Sequence, residues 1–268
     1  MSGARVLAGV PAELWTSVER ASHRLLMLDY DGTIAPFTTD RLAAFPPPDT
    51  VALLQRVASR PHTTVAIVSG RPLQEVERLL GSCPAIFVGE HGWERRGPDL
   101  RLLQPTPSRS VVAAIDEAER TARARGWGAL LERKRSAVVL HTRSLPGDRA
   151  RAVREQCVSA WEDLVVAGPL AMDRIDGGVE FRAHARNKGT AVLSLMSQSP
   201  LGTLGVFLGD DVTDEDAFEV VRDWGYGIRV GDSGTASLAS GRIPSCDAVP
   251  VFLEEWLAVV DGEPKEVR

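Results

Sequence analysis

Leu25-Leu26-Met27-Leu28-Asp29-Tyr30-Asp31-Gly32-Thr33 sets an apolar run directly before two carboxylates spaced two residues apart. The run reads as a buried strand, and its end delivers Asp29 and Asp31. Extended backbone repeats its side-chain direction every two residues, so the two carboxylates can share a side while Tyr30 points elsewhere. Gly32 then permits a sharp turn. Paired carboxylates at a strand end suit a divalent cation together with nucleophilic or general acid chemistry, because a hard cation takes oxygen ligands and offsets their repulsion. An Asp-rich turn or helix cap would use the same five residues, so the rest of the chain decides.

Working outward, Val51 to Ser59 carries helical spacing behind Pro46-Pro47-Pro48, and Thr63 to Val68 reads as a β-branched strand ending at Ser69-Gly70-Arg71-Pro72. Leu73, Val76, Leu79 and Leu80 then form one helical face that stops at Gly81. Ala85 to Val88 is a third strand, followed by Gly89-Glu90-His91-Gly92-Trp93-Glu94. This alternation predicts a parallel sheet with helices on both faces. It is interrupted after Pro105 and Pro107. A helix over Ser108 to Arg125, strands at Ala129 to Glu132 and Ala137 to His141, and a helix from Pro146 to about Trp161 come next. Three strands, Leu164 to Ala167, Ala171 to Ile175 and Val179 to Arg182, complete the segment, the last two turning at Asp176-Gly177-Gly178. Residues 105 to 183 therefore read as an inserted α+β domain, a candidate cap, between core segments 1 to 104 and 184 to 268. From Asn187 the alternation returns: a helix from Lys188 to Met196, a strand from Leu204 to Leu208 ending at Gly209-Asp210-Asp211, a helix over Asp214 to Arg222, a strand at Tyr226 to Val230 and a last helix over Val251 to Val260.

Composition bounds the function. The 268 residues are 44% hydrophobic and 25% charged, ordinary for a soluble globular protein, and the net charge of −5 argues against a general nucleic-acid binder. Nothing recommends a membrane surface, and the apolar segment within Met1 to Val10 is too short for a signal peptide, so a cytoplasmic protein is expected. Cys83, Cys157 and Cys246 are far apart and in no metal-binding spacing, as expected of reduced thiols. Oligomeric state is left open, a monomer being compatible with the composition.

In an open α/β sheet the parallel strands end on one edge, where ligands bind. Asp29 with Asp31, Ser69, the Lys188 region, and Asp210 with Asp211 would converge there. Their chemistry matches phosphoryl transfer: a carboxylate to attack phosphorus, a cation against charge, a hydroxyl and backbone N–H groups for oxygens, and a Lys as point charge. No Walker loop is present.

Asp29-Tyr30-Asp31-Gly32-Thr33, Ser69-Gly70-Arg71, Lys188 and Gly209-Asp210-Asp211-Val212-Thr213-Asp214 resemble, in order and approximate spacing, the four motifs of the haloacid dehalogenase-like phosphohydrolases. Gly89-Glu90-His91-Gly92, the strand pair with Glu132, Lys134, His141 and Arg143, and Glu180-Phe181-Arg182 before Asn187-Lys188-Gly189 are similar to the trehalose-6-phosphate phosphatases within that superfamily. The resemblance implies an α/β fold with a Rossmann-like parallel-sheet core and an inserted α+β cap. It implies a Mg²⁺-dependent phosphatase of trehalose biosynthesis that works through an aspartyl-phosphate. Asp29 would be the nucleophile, Asp31 the general acid and base, and Ser69 and Lys188 the phosphoryl-oxygen ligands. Mg²⁺ would be held by Asp29, the backbone carbonyl of Asp31 and Asp210, with Asp211 and Asp214 in support. Arg71, His91, Glu132, Lys134, His141, Arg143 and Glu180 would bind the sugar phosphate. Thr142, Ala183 and Asn187 stand where the family commonly has Tyr, Pro and Asp. Related sugar-phosphate phosphatases, acting on sucrose, mannosylglycerate or pseudodisaccharide phosphates, and a catalytically silent sugar-phosphate sensor are the alternatives.

Overall fold

The computed structural model describes residues 7–97, 99–166, 168–175, 177–231, 234 and 236–262. Most of the segment Met1 to Val10, and Ala167 and Asp176 of the expected strand and turn, lie outside them. The chain divides into two compact units, Met1–Leu103 with Lys188–Arg268, and Gln104–Asn187.

In chain order the first unit opens with α1 (Ala12–Arg20), β1 (Arg24–Leu28), α2 (Pro48–Ala58), β2 (Thr63–Val68), α3 (Leu73–Leu80), β3 (Ile86–Gly89), β4 (Glu94–Arg96) and β5 (Leu102–Leu103). The inserted unit holds α4 (Arg109–Ala124), β6 (Leu131–Arg133), β7 (Ala137–His141), α5 (Gly147–Val166), β8 (Leu170–Ile175) and β9 (Gly178–Ala183). The first unit resumes with α6 (Lys188–Ser197), β10 (Leu204–Gly209), α7 (Glu215–Val221), β11 (Gly225–Val230), β12 (Gly241–Ile243) and α8 (Val249–Asp261).

The core sheet runs β12-β11-β10-β1-β2-β3-β4-β5. It is parallel from β12 to β3, and β4 and β5 add an antiparallel edge. β1 sits between β10 and β2, pairing Leu28 with Leu208 and with Ile67. The continuous apolar run predicted for β1 reflects burial of both its faces. Leu26 and Leu28 pack with Leu14 and Val18 of α1, Leu54 of α2 and Trp256 of α8. Leu25 and Met27 pack on the other face with Val192 and Leu195 of α6 and Phe218 of α7. The same alternation aims the next odd residue, Asp29, toward the α6 and α7 layer, and Tyr30 into the opposite one.

The inserted unit is a four-stranded antiparallel sheet, β6-β7-β9-β8, with α4 and α5. Trp161 of α5 lies 5.5 Å from Phe181 of β9, ring centre to ring centre, and donates its indole N–H to the Ala118 carbonyl of α4 at 3.1 Å. The strand expected at Leu164 to Ala167 is absent: Leu164 to Val166 are the last turn of α5. Ala150, Val153, Cys157 and Trp161 set a helical face that Leu164 continues, and this 3.6-residue period outweighs the β preference of three consecutive Leu-Val-Val residues.

Among the described residues no helix is long and apolar enough to cross a membrane. The three cysteines are free thiols, with Cys83 and Cys157 buried.

Candidate active site

At the C-terminal edge of the core sheet, three ends meet. The Asp29 N–H continues the β1–β10 ladder to the Leu208 carbonyl at 2.9 Å. Lys188, the first residue of α6, places its ammonium 2.7 Å from Asp29 Oδ1 and 2.7 Å from Asp214 Oδ1. Gly189 makes this possible, because a Cβ there would lie 2.5 Å from the Asp216 carbonyl oxygen; only glycine lets the start of α6 approach the start of α7 so closely. The second oxygen of Asp214, Oδ2, accepts the backbone N–H groups of Asp210 and Asp211 at 3.0 and 2.9 Å. Asp214 thereby accepts three hydrogen bonds and acts as a strut that locks the loop after β10. Thr33 donates to Asp210 Oδ1 at 3.3 Å, tying the two Asp-bearing loops together.

The electrostatics of this cluster are unbalanced. Burial, with Asp214 and Asp31 adding repulsion and Lys188 opposing, pushes Asp29 up to about 7. Burial, then Asp29 and Asp214, push Asp210 up to about 9. Burial works against the Lys188 ammonium, yet Asp214 and Asp29 together hold its proton well above the ordinary range. One ammonium thus faces more carboxylate charge than it can neutralise. Oxygens of Asp29, Asp210 and Asp214 lie within 4.8 Å of one another. An all-carboxylate donor set with excess negative charge fits a hard divalent cation.

The chain turns at Gly32 (φ +79°), whose N–H bonds the Ala35 carbonyl at 2.8 Å, and Asp31 takes a different cation. Arg71 Nε and Nη2 donate to its two carboxylate oxygens, each at 2.6 Å. Ser69 follows β2 directly, and its hydroxyl accepts the Arg71 N–H at 3.1 Å. His91 reaches the same loop: its N–H donates to the Ser69 carbonyl at 3.0 Å, and its ring covers Gly70, where a Cβ would stand 2.6 Å from Nε2. Glu90 and His91 both adopt left-handed backbone (φ +44° and +55°), a conformation that costs a non-glycine residue about 1 kcal/mol or more. The turn is retained because the backbone bonds of Glu90 to Arg71 and His91 to Ser69 require it.

The inserted unit assembles its own polar face. Glu132 pairs across the ladder with Val139, and Val139 with Glu180, so the two carboxylates share one side of the sheet with His141. His141 Nε2 lies 2.7 Å from Glu132 Oε2, and the Lys134 ammonium 2.7 Å from Glu180 Oε1. Lys134 and Arg143 lie just beyond the ends of β6 and β7. Arg143 crosses the turn before β9, its Cγ 2.3 Å from where a Gly177 Cβ would be. Thr142 carries a hydroxyl that donates to the Gly177 carbonyl at 3.0 Å and accepts from Arg154 at 2.8 Å.

Four supporting residues have structural parts that the sequence did not assign. Thr33 was legible as a polar residue next to the carboxylates, and Glu94 Oε2 caps α3 by accepting the Leu73 N–H at 2.6 Å. Arg41 accepts Arg71 Nη1 on its carbonyl at 2.7 Å, and Arg229 donates to the Asp210 carbonyl at 2.8 Å and to Glu215 at 2.8 Å. No local pattern marks these last two.

Comparisons with known proteins agree with this geometry. Residues 27–238 match the family model described as trehalose-phosphatase. A probable trehalose-phosphate phosphatase of Sinorhizobium fredii is 35% identical over 228 residues, which are 84% of each chain. A bifunctional trehalose-6-phosphate synthase/phosphatase of Thermoproteus tenax is 30% identical over 249 residues, 91% of this chain and 33% of that one. The C-terminal domain of the C. albicans trehalose-6-phosphate phosphatase superposes with a TM-score of 0.81 at 21% identity, over 96% of this chain and 99% of that domain.

Proposed function

Because the chain belongs to the trehalose-phosphatase family, a group of phosphoric monoester hydrolases, we propose that it hydrolyses trehalose 6-phosphate to trehalose and phosphate at the core sheet edge. The observation that carries this reading is the Asp29 carboxylate, fixed by Lys188 at 2.7 Å within a cluster that also holds Asp210. In the first half-reaction an Asp29 oxygen attacks phosphorus as the bond to the sugar oxygen breaks, and Asp31 gives that oxygen a proton. In the second, Asp31 takes a proton from water, whose oxygen bonds phosphorus as the Asp29 acyl-phosphate bond breaks. Ser69 and Lys188 bind the phosphoryl oxygens, and the Lys188–Asp214 pair keeps Asp29 oriented.

Mg²⁺ is the cofactor of this reading, held by Asp29, the Asp31 carbonyl and Asp210 with Asp211 and Asp214 behind them, and it would neutralise the phosphoryl charge. His91, at the Ser69-Gly70 loop, and Glu132, Lys134, His141, Arg143 and Glu180, in the inserted unit, are the proposed sugar-phosphate contacts. Hydroxyl-rich ligands need such paired donors and acceptors, and residues 104–187 would form the selecting cap. The composition supports a cytoplasmic setting. A silent sensor is disfavoured by retention of Asp29, Asp31, Ser69, Lys188 and Asp210 together.

Phosphate release from a panel of sugar phosphates, with and without Mg²⁺, tests the reading. Preferential, Mg²⁺-dependent turnover of trehalose 6-phosphate is expected. Preference for sucrose, mannosylglycerate or a monosaccharide phosphate would overturn the substrate, and no turnover of any would overturn the enzyme.

A further inference from the structure

The resemblance places Arg71 among the substrate contacts, and in the structure its guanidinium is taken up by groups of the core unit. Each of its three guanidinium nitrogens is engaged within the core unit: Nε and Nη2 on Asp31, Nη1 on the Arg41 carbonyl. The plane lies over the Tyr30 ring at 5.3 Å, and Glu75 stands 3.6 Å from Nη1 while also pairing with Arg41 at 2.6 Å. The Arg71 side chain is 7% exposed and that of Asp31 is 28% exposed, so the carboxylate keeps an open side while the guanidinium behind it does not. A planar fork making two parallel N–H to oxygen bonds fixes both the position and the rotation of a carboxyl group, which a single hydrogen bond cannot do.

We infer that Arg71 is a positioning residue for Asp31 and makes no contact with the substrate. The inference rests on the proposed phosphatase reaction, in which Asp31 works twice. After Asp31 has given its proton to the departing sugar oxygen, it is the carboxylate whose two oxygens Arg71 clamps. From that fixed place it takes the proton of the water that attacks the aspartyl-phosphate, and the cycle returns the proton to Asp31. The bland reading, a buried ion pair that merely stiffens the loop after β1, makes a different forecast, because loss of stiffness would blunt every step alike.

The two readings separate by leaving group. A p-nitrophenolate leaves without a proton, so attack by Asp29 on p-nitrophenyl phosphate needs no help from Asp31, whereas a sugar alkoxide needs it. Rapid-quench first-turnover and steady-state rates are measured with Mg²⁺ on both esters. Wild type, Arg71→Gln, Arg71→Lys, Asp31→Asn and the Asp31→Asn, Arg71→Gln double variant are compared. Arg71→Gln is expected to slow first-turnover trehalose release about 100-fold. The initial p-nitrophenol burst should change by less than about threefold, and steady-state phosphate release should slow on both esters. KM for trehalose 6-phosphate should not rise. Adding Arg71→Gln to Asp31→Asn should cost less than about twofold, since the partner is already disabled. Arg71→Lys, which keeps the charge but loses the fork, should fall between, and it decides the matter on the same two esters if Arg71→Gln does not fold. Equal loss of burst and trehalose release, a rise in KM alone, or a full additional loss in the Asp31→Asn background would overturn the inference. A wild type that turns over neither ester would instead overturn the proposed reaction.

Discussion

At the core edge, Asp29, Lys188 and Asp214 come from three distant segments and have side chains no more than 6% exposed, whereas Glu132 and His141 of the inserted unit lie on one hairpin and His141 is 35% exposed. The first set is cross-linked: Lys188 bridges two carboxylates, and one of those carboxylates holds the backbone of the loop that carries Asp210. In the second, Glu132 meets His141 and Lys134 meets Glu180 on one face of an antiparallel sheet. Charges fixed by interlocking contacts cost no reorganisation when a reaction develops charge nearby, which is what chemistry demands. Pairs displayed along a sheet can exchange partners with ligand hydroxyls, which is what selection demands.

Variants should break this contrast to different depths. Asp29→Asn is expected to lower turnover of trehalose 6-phosphate and of p-nitrophenyl phosphate alike, by at least about 10⁴-fold, as nucleophile removal does elsewhere. Retained activity on either ester would move the nucleophile to another residue. Lys188→Met should lose about 3–5 kcal/mol in chemical denaturation, because it strips the buried partner from Asp29 and Asp214, and activity should fall with it. A loss below about 1 kcal/mol would show that the cluster is not cross-linked through Lys188. Glu180→Ala belongs to the other region. It should reduce kcat/KM for trehalose 6-phosphate by about 10- to 100-fold and leave p-nitrophenyl phosphate nearly unchanged. Equal losses on both esters would make Glu180 a structural residue of the sheet.

A pH dependence follows from the core cluster alone. In the folded, metal-free protein Asp29 lies near 7 and Asp210 near 9, both above the ordinary 3.8. Between these values the folded chain binds more protons than the unfolded chain, so stability is fullest near pH 4 and is lost as pH rises through 7 and 9. The melting temperature without metal should fall by several degrees over that interval. Mg²⁺, which binds the deprotonated carboxylates, should restore more of it at pH 8 than at pH 6. A Mg²⁺ effect that is the same at both pH values would break the link between the cluster and the cation.

The carboxylate cluster was legible because strand alternation carries through: Leu25 and Met27 forecast the side of Asp29, and the parallel strands bring Ser69 and Asp210 to the same edge. The side of the sheet shared by Glu132 and His141 was legible for the same reason. Orientation beyond the strand ends was not. Asp31 and Arg71 are 40 residues apart, and neither flanking sequence states that one will turn to the other. The short strands β4, β5 and β12 were also missed, since two or three residues carry no period. The false strand at Leu164 shows the converse failure, a β-rich triplet captured by the helical face before it.

The most direct test is to quench the enzyme in acid during turnover of trehalose 6-phosphate with Mg²⁺ and map phosphate by peptide mass. Phosphate on the peptide carrying Asp29, absent in Asp29→Asn and accumulating in Asp31→Asn when p-nitrophenyl phosphate is the donor, is the predicted result. Turnover with no phosphorylated peptide, or with phosphate on a residue other than Asp29, would contradict it.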